Sequence, residues 1–355
     1  MQKGFSIAKK GLKIYTQPMV LFVQYPTWIS PYVIPGLPIR WYALMYLVAF
    51  AFAYLLFRYE WKHDGQIELS KDDVTDLFFW GILGLLIGAR VGSCLFYSDT
   101  VYYITHPWMM FWPFRNGHFV GLPGMSFHGG VIGLVLAVYI FCKVKKIAFL
   151  KVADMLAAAI PLGYTFGRLG NFINGELYGR VAMKGGMIFP DATPFSTNLQ
   201  WVRDACDQLG ISYTLGSYVN LPRYPSQLYE ALVEGVLLFL VLWFLIRPLK
   251  MKKGLPDGIT MGSYFIGYGL GRFIIEYFRQ PDADIGYVIS LGEKSDNIAL
   301  FQSFLNISKG QIYCFIMILC GVALIVAVSL LHRKRVEDDK RKIKQTKKGN
   351  GKGRA

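Results

Sequence analysis

Residues Ile312 to Leu331 read IYCFIMILCGVALIVAVSLL, an unbroken run without a charged side chain. At about 1.5 Å of rise per residue such a run makes a helix about 30 Å long, the thickness of a bilayer's hydrocarbon core. Working outward, six more apolar runs fall at roughly 41–57, 77–97, 125–142, 154–171, 228–247 and 259–277. None alternates apolar and polar residues with period two, which argues against a transmembrane barrel. The reading predicts an all-α polytopic membrane protein with about seven transmembrane helices.

The composition agrees. Of 355 residues, 54% are hydrophobic and 17% charged, against about 25% charged in a soluble domain. Low charge with high apolarity excludes a disordered chain. Five cysteines without a Cys-x-x-Cys pair exclude a disulfide scaffold and argue against a cysteine metal site. Cys94, Cys142, Cys314 and Cys320 fall in or at the ends of the helices as packing residues, and Cys206 is expected in a wet loop.

Basic residues set the expected topology. They crowd one set of connections, with Lys143, Lys145, Lys146 and Lys151 in one and Arg247, Lys250, Lys252 and Lys253 in the next. The segment after Leu331 adds eleven Lys and Arg against three acidic residues, about half of the net charge of +15. The positive-inside rule then puts the N-terminus outside and the C-terminus in the cytoplasm. Residues 332–355 are expected to be a disordered basic cytoplasmic tail that can touch anionic lipid. No aromatic residue interleaves those charges, so nucleic acid is not an expected partner. Residues 1–39 form an extracytoplasmic or interfacial segment. Met19 to Val23 is too short for the apolar core of a secretory signal peptide, so none is expected.

Inside the apolar runs stand residues that are costly there: Arg90, His128, Arg168, Glu230, Glu234, Arg272 and Glu276. An ionisable side chain at membrane depth faces the protein interior and marks a functional site by default. The competing reading is internal ion pairing, such as Arg272 with Glu276 or Arg90 with Glu234, that only stitches helices together. Arg272, Glu276 and Arg279 share one helix face, as do Arg168, Asn171 and Gly175. The densest polar block is Gly167 to Arg180, GRLGNFINGELYGR. It mixes glycines, which allow close backbone approach, with arginines, whose forked donors suit phosphate. A second block, Met125 to Gly130, sets His128 beside two glycines. The series Gly81, Gly84, Gly88 and Gly92, and likewise Gly163 and Gly167, is spaced for close helix packing.

Five ordered segments resemble the prolipoprotein diacylglyceryl transferase family of bacterial inner-membrane enzymes. They are Arg40 to Leu47, Gly124 to Gly133, the block Gly167 to Arg180, Tyr224 to Glu230 and Gly271 to Asp282, and the likeness spans about Arg40 to Leu331. The resemblance implies a seven-helix catalytic membrane domain over 40–331, with a small periplasmic head inserted at 179–223. It implies transfer of a diacylglyceryl group from phosphatidylglycerol to the lipobox cysteine near the signal peptide of a preprolipoprotein. A thioether forms and glycerol phosphate leaves, and no metal or organic cofactor is required. By the same resemblance His128 and Arg272 are the catalytic residues. Arg168, Tyr42, Asn171, Glu176, Gly179 and Glu276 are the residues implied to bind phosphatidylglycerol. Arg40 and Tyr224 stand where many members carry histidine, so neither is a required base.

The residue chemistry suits that reaction independently of the resemblance. Arginines at a phosphodiester neutralise the charge that develops on the leaving phosphate. A cysteine thiol must lose its proton to attack, and His128 is the natural base or an orienting group for that proton. An alternative keeps Arg272 as the main activator and gives His128 only a positioning role. A secondary transporter or a non-catalytic lipid-binding membrane protein would also bury charges, though no internal repeat favours a transporter.

Overall fold

The structure is a computed structural model. It describes residues 22–351 except 35, 38, 66, 116, 123, 282–285 and 293–296, with the backbone alone for 115 and 344–351. Readings that fall on residues 1–21 and 352–355, and on parts of the 283–307 loop, lie outside the described residues.

Eight helices carry the fold: α1 (Trp41–Asp64), α2 (Lys71–Phe96), α3 (Phe127–Lys145), α4 (Phe149–Ile173), α5 (Gln200–Leu209), α6 (Ser226–Lys253), α7 (Ile259–Ile275) and α8 (Lys309–Gly351). Among the described residues six of them, α1, α2, α3, α4, α6 and α8, are long and apolar enough to cross a membrane. The expected seventh run folds as α7, with 17 residues and a length of about 25 Å. It starts abruptly after Gly258, whose φ of 102° only glycine adopts readily. Its far end gives way to turns at Glu276 and Tyr277 that bring the chain out of the bundle.

Local chemistry sets the boundaries. Ser70 and Asp73 close a reciprocal capping box at the start of α2, and the Ser126 hydroxyl accepts the Gly129 N–H at the start of α3. The Ser308-x-x-Gln311 box does the same for α8: Ser308 N–H donates to Gln311 Oε1 at 2.9 Å and Gln311 N–H to Ser308 Oγ at 3.2 Å. α6 widens into π-helical turns over Ala231–Leu237 and Leu242–Ile246, a distortion often found at functional sites.

Helices pair α1 with α4, α2 with α3, and α7 with α8, while α6 packs on α4. The α2–α3 contact is made by small residues: a Cβ on Gly88 would overlap the Gly129 carbonyl. The glycine following His128 is therefore a helix-packing residue. Gly163 meets Ala49 as expected of a packing glycine, whereas a Cβ on Gly167 would meet nothing within 4 Å. At one end of the bundle ion pairs tie α1, α4 and α6 together and reach the turn before α7. Lys250 lies 2.8 Å from Asp154 and 3.1 Å from Asp257, and Arg247 lies 3.0 Å from Glu60 and 2.6 Å from Asp64. Asp154 also accepts the Gly258 and Met261 N–H groups, both at 2.8 Å, which caps α7.

Between α4 and α6 the chain builds a small head. Its core holds Val181, Val202, Ala205, Cys206, Leu209 and Leu221, joined by Ala299 from the α7–α8 connection. Strand Val23–Gln24 pairs in parallel with Met187–Ile188, so the chain just before α1 is also part of this unit. Two expectations change here. Cys206 is not in a wet loop but 0% exposed, because α5 turns its apolar face into the head core. The basic tail is not irregular: α8 runs on to Gly351, since Lys, Arg, Glu and Gln are good helix formers and Arg333 pairs with Glu337 one turn on.

Candidate active site

α4, α6 and α7 bring their charges to one point, Glu230. Its side chain is fully buried and meets Arg168 Nε at 2.7 Å, Arg272 Nη1 at 3.0 Å and, closely, Arg279 Nη1. The next carboxylate along α6, Glu234, lies 3.8 Å from Arg272. Glu276 lies 3.5 Å from Arg272 and 3.6 Å from Arg279. Three arginines thus face three glutamates in one network. Buried charges persist only when paired in this way, because desolvating a lone one costs several kcal/mol.

The arrangement is sided. Glu230 and Glu234 are fully enclosed, while Arg168 and Arg272 are each 18% exposed, so the accessible side of the cluster carries guanidinium groups. Arg272 Nη1 makes no hydrogen bond within the described structure despite its ion pairs. Such a cluster can hold an anion with donors fixed in advance.

Each arginine is oriented by neighbours. Arg168 Nε–H donates to the Tyr164 hydroxyl at 2.7 Å, one turn earlier on α4, and the guanidinium lies 4.8 Å from the centre of that ring. Tyr164 in turn donates to Glu234. Arg168 Nη1 donates to Asn171 Oδ1 at 3.4 Å, and Asn171 Nδ2 donates to Glu176 Oε1 at 3.0 Å. Glu176 also accepts from Asn174 at 3.3 Å. On the α7 side, the Ser308 hydroxyl of the α8 cap donates to Glu276 Oε1 at 3.1 Å. The expected pairing of Arg272 with Glu276 is present.

The remaining expected site residues fall at different distances from this point. Tyr42, at the start of α1, packs against Gly170 beside Asn171 and shares a 2.9 Å hydroxyl contact with Tyr46. Gly179 sits where three segments meet: a Cβ there would overlap the Phe278 carbonyl, and its N–H donates to Tyr224 O at 2.8 Å. His128 is exposed on the first turn of α3, its ring 5.8 Å from Phe127. Among the described residues it makes no hydrogen bond or ion pair, so it does not join the arginine cluster. Arg90 does not pair with Glu234. It donates to the carbonyls of Met110 and Gly124 and so fastens the α2–α3 connection just ahead of the His128 turn. A cavity of about 940 Å³ lined in part by Asp99, Tyr103 and Trp112 lies in that connection, and its lining residues are none of the Glu230 cluster. Among the described residues no group of three His, Cys, Asp or Glu side chains is placed to hold a metal ion.

Sequence reading marked Glu230 and Glu234 only as misplaced charges and Arg279 only as sharing the Arg272 face, gave none of them a named role, and passed over Tyr164. Glu230 and Glu234 were visible as charges inside an apolar run. Tyr164 carried a weaker signal, its i, i+4 spacing to Arg168.

The fold defines a polytopic membrane protein, with three arginines gathered on buried carboxylates. Residues 31–327 match the family model described as prolipoprotein diacylglyceryl transferase. The chain belongs to that family and is a transferase. Relatives carry the name phosphatidylglycerol–prolipoprotein diacylglyceryl transferase. The one from Treponema denticola is 50% identical over 339 residues, covering 90% of this chain and 98% of the relative. That from Treponema pallidum is 45% identical, covering 89% and 98%, and that from Chlorobaculum tepidum 40% identical, covering 85% and 90%. The transporter and passive lipid-binding readings are set aside.

Proposed function

We propose that the protein moves the diacylglyceryl group of phosphatidylglycerol onto the lipobox cysteine of preprolipoproteins in the bacterial cytoplasmic membrane. The observation that carries this reading is the convergence of Arg168 and Arg272, from separate helices, on the buried Glu230. The two guanidinium groups hold the phosphodiester of the lipid. The cysteine sulfur attacks the glyceryl carbon bearing the phosphate ester, the carbon–oxygen bond breaks, and glycerol phosphate departs with its charge held by the arginines.

Asn171, Glu176 and Tyr42 bind the glycerol head group. Glu276 keeps Arg272 aimed at the phosphate, and Gly179 closes the floor of the site by letting Phe278 and Tyr224 approach. His128 accepts the thiol proton, and its exposure suits a group that meets an incoming peptide. The N-terminus is outside, the 179–223 head is periplasmic and the C-terminus is cytoplasmic. There the basic end of α8 can touch anionic lipid.

The test is direct. Detergent-solubilised protein is incubated with phosphatidylglycerol and a lipobox peptide, and the peptide is analysed by mass spectrometry. A thioether-linked diacylglyceryl peptide is expected from the wild type and not from Arg168→Ala or Arg272→Ala. Full transfer by Arg168→Ala removes the phosphate clamp.

A further inference from the structure

The chain ahead of α1 is fastened to the end of α4 by one side chain. Val23 N–H donates to Gly186 O at 2.9 Å and Tyr25 N–H to Ile188 O at 3.1 Å, which holds this segment against the head. Tyr25 then turns inward. It is 7% exposed, and its ring centre lies 5.4 Å from those of both Phe172 and Phe189. Its hydroxyl lies 2.9 Å from the Phe172 carbonyl and 3.0 Å from the Ile173 carbonyl, and donates to this pair.

Those carbonyls belong to the last turn of α4, where a helix runs out of its own donors. The same turn is closed by two backbone bonds, Gly175 N–H to Phe172 O at 2.9 Å and Glu176 N–H to Asn171 O at 3.1 Å. The second is possible because Gly175 takes φ +67°, which folds the chain back on the helix end. The Glu176 carboxylate is thereby returned to the amides of Asn171 and Asn174, and Asn171 accepts from Arg168. Hydrogen bonds, joined by short stretches of backbone, lead from the Tyr25 hydroxyl through the end of α4 to the guanidinium of Arg168.

We propose that Tyr25 is a positioning residue for the transfer reaction. By capping the end of α4 it holds the Asn171–Glu176 turn, and through it Arg168, in the orientation that meets the lipid head group. Residues 23–25 are then part of the site's support. The inference rests on the reading that Arg168, Asn171 and Glu176 face phosphatidylglycerol. It predicts a defect in use of the lipid, with the peptide's KM unchanged.

Tyr25→Phe keeps the ring packing and removes only the donor. In the full-length enzyme, the expected result is a KM for phosphatidylglycerol raised about three- to tenfold, kcat lowered by a similar factor and the KM for the lipobox peptide unchanged. The decisive measurement is the double variant with Glu176→Gln. If Tyr25 acts through the turn, adding Tyr25→Phe to Glu176→Gln changes the lipid kinetics less than it changes the wild type. Fully additive losses, or wild-type lipid kinetics for Tyr25→Phe while Glu176→Gln is impaired, overturn the role of Tyr25 and leave the site reading standing. Normal kinetics for Arg168→Ala and Glu176→Gln overturn the site reading itself, and the inference with it. Should Tyr25→Phe fail to accumulate, 3-fluorotyrosine at position 25 alters the strength of the donor without removing it. A changed lipid KM at unchanged Tm supports the role, and an unchanged one overturns it.

Discussion

Glu230 Oε2 lies 2.7 Å from Arg168 Nε, an ion pair between α6 and the helix that leads into the Gly167–Arg180 block. The same carboxylate meets Arg272 at 3.0 Å and Arg279 more closely, so one enclosed negative charge gathers three positive ones from two other segments. A cluster made this way is preorganised: the arginines need not be brought together when an anion arrives.

Glu230→Gln keeps the shape and removes the charge that holds three guanidinium groups together. Transfer is expected to fall by about a hundredfold or more, with a lower melting temperature because the arginines are left facing one another. Glu230→Asp, which keeps the charge on a shorter stem, retains more activity than Gln. Equal activity for Gln and the wild type in the peptide-lipidation assay denies Glu230 its gathering role.

His128 stands apart from the arginines, and a pH–rate profile decides what it does. If it accepts the thiol proton, the acidic limb of the kcat/KM profile depends on its presence. His128→Gln then loses both the bulk of the rate and that acidic limb. A near-normal rate with the limb intact assigns His128 no proton transfer and returns the activating role to Arg272.

Asp154→Asn tests the opposite end of the bundle. Asp154 lies 2.8 Å from Lys250 and caps α7 through the Gly258 and Met261 N–H groups. Leaving a buried lysine less compensated costs about 3–5 kcal/mol, so thermal unfolding in detergent should move several degrees lower. The KM for lipid should stay as in the wild type, because the pair lies at the opposite ends of α4 and α6 from Arg168 and Glu230. A raised KM with unchanged stability contradicts a purely structural role.

Cys206 reports on the head. Burial pushes its thiol above the usual cysteine range, with the nearby Asp207 charge acting the same way. Folding therefore favours the protonated thiol, and this stabilisation is full below the thiol's unfolded pKa and lost as pH rises through the folded one. At neutral pH Cys206 should resist thiol reagents in the native protein and react once the head unfolds. Rapid labelling of Cys206 in folded protein, followed by peptide mapping, shows that the head core is open.

The membrane class and six of the spanning helices followed from run length alone, because hydrocarbon thickness imposes a length that local composition reveals. Buried charges such as Arg168, Arg272 and Glu276 were legible for the same reason: each is out of place in its own run. Which charge meets which was not legible. The spacing of Arg272 and Glu276 on one helix foretold their contact, but Arg90 and Glu234 were matched across helices only by sign, and the fold separates them. Glu230 as the meeting point, Tyr25 as the cap of α4 and Cys206 in a core all depend on contacts between segments far apart in the chain. Sequence alone determined where apolar length and misplaced charge occur, since those are properties of single segments. Only the tertiary structure decided the pairing of those charges, because an ion pair is set by how helices cross, and no single helix carries that geometry.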